Sequence, residues 1–312
     1  MRLLFIGFGV VGQGLAELLL ERQRQLAEEY GLEWRVVGIS DSQKGSCYRA
    51  EGLDLAGALA MASRRESLAG FPGAGSQWDA LTMIRHAEAD VVLEATWTDI
   101  KTGEPATSHM RAALERGMHV VTTNKGPVAL RYHELAEVAR RKGVEFLFEG
   151  TVMAGTPVLN LRRECLAGSG ISSIQGILNG TTNYILTRME EGLAYADALK
   201  QAQELGYAEA VPDADVEGWD ALAKVTILAN VVFGAHLAPG DSPCEGITKI
   251  TLEDIGRARN AGKRYKLIGT VRREGGGVAA SVAPRLVPVS HPLAGVSGPT
   301  NALTITTDVL GE

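Results

Sequence analysis

Asp220 and Lys224 stand four residues apart in Gly218-Trp219-Asp220-Ala221-Leu222-Ala223-Lys224, a spacing that puts both side chains on one face of a helix. An exposed pair of this kind contributes only about 0.3–0.5 kcal/mol. The next stretch, Val225-Thr226-Ile227-Leu228-Ala229-Asn230-Val231-Val232-Phe233, is nearly apolar all round, the mark of a buried helix. A lysine one residue ahead of such a segment must meet a cavity or a carboxylate, because an unpaired buried ammonium is heavily penalised. An acid and an amine together in a cavity form a proton-transfer device. Lys224 and Asp220 are therefore the candidate catalytic pair. Gly206 closes the helix before them, and Asp215 or Glu217 opens the next.

A second group lies at the start of the chain. Gly7-Phe8-Gly9-Val10-Val11-Gly12 follows a short apolar run and opens a helical pattern. In that context Gly7 suits a tight turn, Gly9 lets a pyrophosphate approach the backbone, and Gly12 lets helix and strand pack closely, with the helix N-terminus supplying N–H donors. Asp41 comes 29 residues after Gly12, just past the second strand pattern. An acid there binds an adenosine ribose hydroxyl and favours NAD, whereas Lys44, three residues on, suits a 2′-phosphate; the choice between NAD and NADP stays open. Lys125 ends Thr122-Thr123-Asn124-Lys125 at the carboxyl end of a predicted parallel strand, where ligands of open α/β sheets gather. Asn179-Gly180-Thr181-Thr182-Asn183 joins a strand to a helix. The free N–H groups there suit a carboxylate, and Thr181 suits the helix N-cap.

The elements that must position these residues alternate in the first half. Strands are expected at 2–6, 34–40, 90–95, 119–123 and 144–148, with a helix over 10–29 and irregular loops over 42–52 and 67–78. Helices between later strands are marked by Pro105 near a start and by Gly117 and Gly143 as stops. Such alternation implies a parallel sheet covered on both faces, with fewer than six strands if a long excursion follows the second. After about residue 150 the texture changes. Helices are expected over 155–167, 181–191, 196–205 and 217–233, and strands over 171–178, 264–273, 278–289 and 302–307. The fold class is α/β, a Rossmann-type parallel-sheet domain over 1–148 joined to an α+β domain over 149–312.

Composition narrows the function classes. The 312 residues hold 31 Lys and Arg against 37 Asp and Glu, a net charge of −6, which offers no basic footprint for nucleic acid and no cationic membrane face. The three cysteines, Cys47, Cys165 and Cys244, are too scattered for a disulfide framework or a zinc site. The six histidines show no metal-ligand spacing. No run of about 18 apolar residues exists for a membrane helix, and Arg2 leads straight into a strand rather than a signal peptide. These features point to a soluble, cytoplasmic protein.

Five stretches in order are similar to homoserine dehydrogenases: GFGVVG at 7–12, TTNKGP at 122–127, EGTVMAGTP at 149–157, GILNGTTNYIL at 176–186, and ELGYAE with DVEGWDALAK within 204–224. The resemblance implies interconversion of L-homoserine and L-aspartate 4-semialdehyde with NAD or NADP, in threonine, methionine and isoleucine biosynthesis. It implies that Lys224 is the general acid/base and that Asp220 sits beside it. Glu209 and Asp215 would engage the substrate's amino and hydroxyl region, and the backbone of Gly180 and Thr181 its carboxylate. Lys125 would touch substrate and nicotinamide, and Thr96 would line the cofactor. Glu149, Val152, Ala154 and Thr156 match positions that hold a monovalent cation, typically sodium. A homodimer is implied, with dimerisation elements at about 149–157 and 283–312; by pattern alone, 302–309 suits an intersubunit strand or an intramolecular edge strand.

The chain departs from the family pattern in places. Glu209-Ala210-Val211-Pro212 replaces the usual Glu-x-Asp-Pro, and Gly150 and Met153 stand where Ala and Gly are commoner. The sequence ends at Gly311-Glu312, before the family's closing Gly-rich segment, which either is lacking or lies beyond residue 312; feedback through an appended regulatory module is not expected. Two other readings fit the same motifs: a dehydrogenase of a related amino-acid semialdehyde, and a silent NAD(P)-binding amino-acid sensor, against which the acid/base residues speak.

Overall fold

The computed structural model describes residues 1–75 and 78–312; residues 76–77 of the loop expected over 67–78 lie outside the described residues. The chain divides into two units, Met1–Thr151 and Val152–Glu312.

In the first unit β1 (Arg2–Ile6), β2 (Arg35–Asp41), β3 (Gly45–Tyr48), β4 (Val91–Glu94), β5 (His119–Thr122) and β6 (Phe146–Leu147) form one sheet in the order β3-β2-β1-β4-β5-β6. Every pairing is parallel except β2 with β3. Strand β4, Val91-Val92-Leu93-Glu94, is buried along its whole length, as expected of a strand covered on both faces. The chain order reverses at β1, which lies between β2 and β4, and such a switch point opens a crevice at the strands' carboxyl ends.

The helices of this unit are α1 (Val10–Glu21), α2 (Gln23–Tyr30), α3 (Leu55–Ser63), α4 (Ala80–His86), α5 (Ala106–Glu115) and α6 (Lys125–Lys142). The single helix expected over 10–29 is broken at Arg22, whose φ of −105° and ψ of 13° leave the helical region. The loop expected over 42–52 contains β3, so the sheet has six strands. The Asp41 carboxylate accepts from the N–H groups of Gln43 and Lys44, a side-chain-closed turn that sends the chain back along β2. Cys47 on β3 is fully buried opposite Ile39.

The second unit starts with single turns, α7 (Gly150–Met153, across the boundary) and α8 (Val158–Asn160), and a π-helical turn over Leu161–Cys165. The continuous helix expected over 155–167 is thus replaced, since Gly155 and Pro157 interrupt its start. Then follow β7 (Ile171–Ile177), α9 (Gly180–Glu190), α10 (Tyr195–Glu204), α11 (Asp213–Val216), α12 (Trp219–Phe233), α13 (Leu252–Asn260), β8 (Lys263–Glu274), β9 (Gly277–Pro288) and β10 (Ala302–Thr307). The sheet runs β10-β7-β8-β9, antiparallel throughout. Strand β10 pairs with β7 of its own chain and forms the edge of the sheet. Helix α12 packs on β8 and β9, and α9 and α13 on β8. Helix α13, absent from the expected elements, is nucleated by a reciprocal cap between Thr251 and Asp254.

Candidate active site

Helix α12 is buried at Ala221–Ala223 and Val225–Asn230, as its apolar sequence requires. Lys224, on the same helix, keeps only 12% of its side chain exposed and Asp220 15%. Their charges meet at 2.8 Å, and the Lys224 ammonium also donates to the Leu178 carbonyl at 2.5 Å. That carbonyl lies just past β7, so the residue after a strand and the first turn of a helix hold the amine between them.

Asn179 ties the cluster together. Its side chain caps α9 by accepting from the Thr182 N–H at 2.9 Å. Its amide donates to Asp215 at 2.6 Å and to Asp220 at 3.0 Å. Burial pushes the Asp215 carboxyl above its ordinary range, and the neighbouring Asp220 charge adds to the effect against the opposing Asn179 amide and Lys224. The group of Asn179, Asp215, Asp220 and Lys224 holds protons and charges within hydrogen-bond reach of one another, which acid/base chemistry needs.

The N-cap of α9 is Asn179 rather than Thr181, because the amide oxygen reaches N3 while the Thr181 hydroxyl donates to the Tyr207 carbonyl at 2.5 Å. Among the described residues the N–H groups of Gly180 and Thr181 make no hydrogen bond, as the first turn of a helix leaves them. A side chain on Gly180 would meet the Pro299 carbonyl at 2.6 Å, so glycine lets the two backbones touch. Glu209 stands apart: it is exposed on the loop between α10 and α11, and among the described residues no hydrogen bond or ion pair joins its carboxylate to the cluster.

In the first unit the turn after β1 has the properties its glycines suggest. Gly7 has φ +90°, and a Cβ there would lie 2.4 Å from the Ala95 carbonyl oxygen. A Cβ on Gly12 would strike the Gly7 carbonyl at 2.6 Å, whereas one on Gly9 would meet nothing within 4 Å. The approach over Gly9 is thus open, and no side chain caps the first turn of α1. Val10 and Val11 are exposed, while the Phe8 ring is buried edge-on to Phe5. The Phe8 N–H donates to Asp41 at 2.8 Å. With the Gln43 and Lys44 N–H groups the Asp41 carboxylate accepts three backbone bonds. Burial works against its charge, but these donors outweigh it and hold Asp41 below the usual carboxylate range.

Gly9, Asp41, Lys44 and Thr96 line one crevice of about 570 Å³. An open glycine turn, an uncapped helix start and a fixed carboxylate at a topological switch fit a dinucleotide. Lys125 is the first residue of α6, and its place is set by Asn124, which donates to the Thr96 and Trp97 carbonyls at 3.3 and 3.2 Å and accepts from the Gly126 N–H.

In the 149–156 stretch Val152 is buried and Ala154 has φ +48°. The Thr156 carbonyl accepts from the Val158 N–H at 2.9 Å. Among the described residues no group of three or more His, Cys, Asp or Glu side chains is placed to hold a metal ion, and no helix is long and apolar enough to cross a membrane.

Sequence reasoning placed Asn179 in a turn without giving it the bridge between two carboxylates, and it overlooked Asn124. An Asn before a helix is a cap signal, but the second bonds of both residues depend on distant segments.

A parallel sheet with a dinucleotide crevice, together with a lysine–carboxylate cluster in a second unit, defines the class as a nicotinamide-dependent dehydrogenase. The chain matches the family described as "Homoserine dehydrogenase, NAD binding domain" over residues 7–149 and that described as "Homoserine dehydrogenase" over 157–312. It is 48% identical to the NAD(+)-dependent homoserine dehydrogenase of Pseudomonas canavaninivorans, covering 99% of this chain and 88% of the relative. With the homoserine dehydrogenase of Methanocaldococcus jannaschii it shares 42% identity, over 100% and 91% of the two chains. The solved putative homoserine dehydrogenase of Archaeoglobus fulgidus superposes with a TM-score of 0.89 at 41% identity, covering 100% of this chain and 91% of that one. A hyperthermophilic archaeal homoserine dehydrogenase in complex with NADPH gives 0.84 at 30% identity, over 100% and 89%.

The chain belongs to the homoserine dehydrogenase family. It is an NAD(P)-dependent oxidoreductase that interconverts L-homoserine and L-aspartate 4-semialdehyde in amino-acid biosynthesis. The alternative of a silent sensor is not favoured.

Proposed function

We propose that Lys224 is the general acid/base of this reaction. Its ammonium protonates the aldehyde oxygen during reduction and takes the hydroxyl proton back during oxidation. The observation that carries this reading is the 2.8 Å contact with Asp220, closed by the Leu178 carbonyl at 2.5 Å. Two acceptors hold the amine on a rigid helix and leave its third proton for the substrate. A positive charge beside the carbonyl oxygen also stabilises the alkoxide that develops there. The bound nicotinamide supplies or accepts the hydride.

Asp215 and Glu209 receive the substrate's amino and hydroxyl region, and the N–H groups of Gly180 and Thr181 its carboxylate. In the 1–148 domain Gly7, Phe8, Gly9, Val10, Val11 and Gly12 form the turn for the diphosphate, and Thr96 and Lys125 serve its nicotinamide end. Asp41 accepts from the adenosine ribose hydroxyls. A charged carboxylate at that place disfavours a 2′-phosphate, so NAD is the preferred cofactor despite Lys44 nearby. The 149–312 domain carries catalysis, with dimerisation through 149–157 and 283–312, and the enzyme works as a cytoplasmic homodimer. Glu149 and the carbonyls of Val152, Ala154 and Thr156 are an all-oxygen set suited to a hard cation such as sodium.

Initial rates of homoserine-dependent reduction of NAD and of NADP, side by side, with sodium, potassium or neither, test these assignments. Faster NAD reduction and stimulation by a monovalent cation are expected. Equal or better use of NADP removes the role given to Asp41, and cation-independent rates remove the cation. Analytical ultracentrifugation tests the dimer. A panel of related hydroxy amino acids tests the substrate assignment at the loop where Val211 replaces the usual Asp.

A further inference from the structure

Glu94 ends β4, next in sequence to Ala95 and Thr96 of the crevice lining, and its side chain is completely buried. It accepts from the Thr96 N–H at 3.3 Å, from the Thr96 hydroxyl, and from the Thr122 hydroxyl at 3.2 Å. All three donors are neutral, and a buried carboxylate without a counter-charge costs several kcal/mol. Among the described residues the basic side chain beside it is His109 on α5, whose Nδ1 stands 3.7 Å from Glu94. The imidazole is itself 5% exposed, and its Nδ1 is buried with no hydrogen-bond partner. The ring lines the same crevice as Gly9, Asp41 and Thr96. Asp79, the N-cap of α4, is a second negative charge that interacts with it.

With Nδ1 turned to Glu94, the second ring nitrogen is the one left for the crevice. We infer that His109 is a cofactor-binding residue: held by Glu94, it donates through Nε2 to an oxygen of the dinucleotide's sugar–phosphate chain. Glu94 is then a positioning residue that acts through His109 and through the threonines at the ends of β4 and β5. The inference rests on the crevice assignment made above, and its test separates the two.

The direct readout is the equilibrium Kd of NAD for the cofactor-free enzyme, by calorimetric titration, with steady-state constants alongside. His109→Leu fills the space without a donor and is expected to weaken NAD roughly 10-fold, the effect of one charge-assisted hydrogen bond. His109→Gln, whose amide can donate in place of Nε2, should recover part of the loss. Equal weakening by Leu and Gln, or an unchanged Kd in His109→Leu, overturns the inference. Should His109→Leu fail to fold, Glu94→Gln makes the same test, because its amide oxygen still accepts from Thr96, its N–H can donate to the Thr122 hydroxyl instead, and the charge is removed; an unchanged Kd there overturns it equally. Gly9→Val is the control for the crevice itself. If it weakens NAD strongly while the His109 variants do not, only this inference fails; if it leaves Kd untouched, the crevice assignment fails.

Discussion

Asp41 in the first unit and Asp215 in the second are both partly buried carboxylates, yet their surroundings push them in opposite directions. Asp41 accepts from three backbone N–H groups and lies below the usual carboxylate range despite its burial. Asp215 has one side-chain amide as its closest donor, is desolvated, faces Asp220, and is raised. Backbone donors belong to the fold and keep a carboxylate charged, which suits fixed recognition of a cofactor. A carboxylate held by side chains beside a second acid and a lysine exchanges protons more readily, which suits the acid/base work proposed for the second unit.

The largest test of this division is Lys224→Ala. Loss of a general acid/base costs about 100- to 10,000-fold in turnover, while NAD affinity measured by titration should stay within about 2-fold. A normal rate in this variant would falsify the role given to Lys224. On the other side of the comparison, Asp41→Asn should raise the NAD Kd by about 10-fold, the effect of a charge-assisted bond, and narrow the preference over NADP, with kcat at saturation little changed. A kcat loss as large as that of Lys224→Ala would erase the distinction between the two carboxylates.

Stability against pH gives a smaller and sharper contrast. Because the folded Asp215 pKa is raised, the neutral group favours the fold below its unfolded pKa, and that contribution is lost as pH rises through the folded value. Asp215→Asn should therefore raise Tm at pH 7 by roughly 1–2 °C, on the scale of about 1.5 °C per kcal/mol for a chain of 312 residues, and the gain should vanish in acid. Asp41 has the reverse sign. Its contribution is present above the unfolded pKa and lost as pH falls through the depressed folded pKa, so Asp41→Asn should lower Tm at pH 7 and converge with the wild type in acid. Scanning calorimetry of both variants at pH 7, with Asp215→Asn repeated at about pH 3.5 and Asp41→Asn at the lowest pH at which the fold persists, checks the pair; shifts of one sign at pH 7 break the comparison.

The smallest effect concerns backbone strain. Ala154 sits at φ +48°, a region that costs an L-residue about 1–2 kcal/mol. Ala154→Gly relieves this but adds freedom to the unfolded chain, so a Tm rise of only about 1 °C is expected. The same variant leaves its carbonyl in place, so the cation response of the rate should survive it.

The chemistry-bearing segments were legible wherever one stretch contains its own reason. The glycines of 7–12 carry a steric code, and the Asp220–Lys224 spacing followed by an apolar helix forces the pair into partial burial. Legibility failed where the partner is remote in sequence. Residues 42–52 read as loop because Ser and Gly dominate there, yet Asp41 folds the chain back into β3. Helix α13 is short and polar and depends on its cap and on packing against β8. Glu94 and His109 looked like an ordinary strand end and an isolated histidine, since 15 residues separate them. Lys266 on β8 is fully buried, its amine bonded to the Asn183 side chain and the Val296 carbonyl, and desolvation lowers its pKa; both partners are remote in sequence.

The sequence by itself determined the dinucleotide turn, the strand–helix alternation around it, and the placement of Lys224 and Asp220 on one helical face, because these follow from steric rules and periodicities that act within a few residues. Only the tertiary structure decided which carbonyl and amide complete the Lys224 cluster, which N–H groups fix Asp41, and that Glu94 meets His109. Those contacts join segments tens of residues apart or on different elements, and their energy depends on how much water the packed surroundings exclude, which no local pattern records.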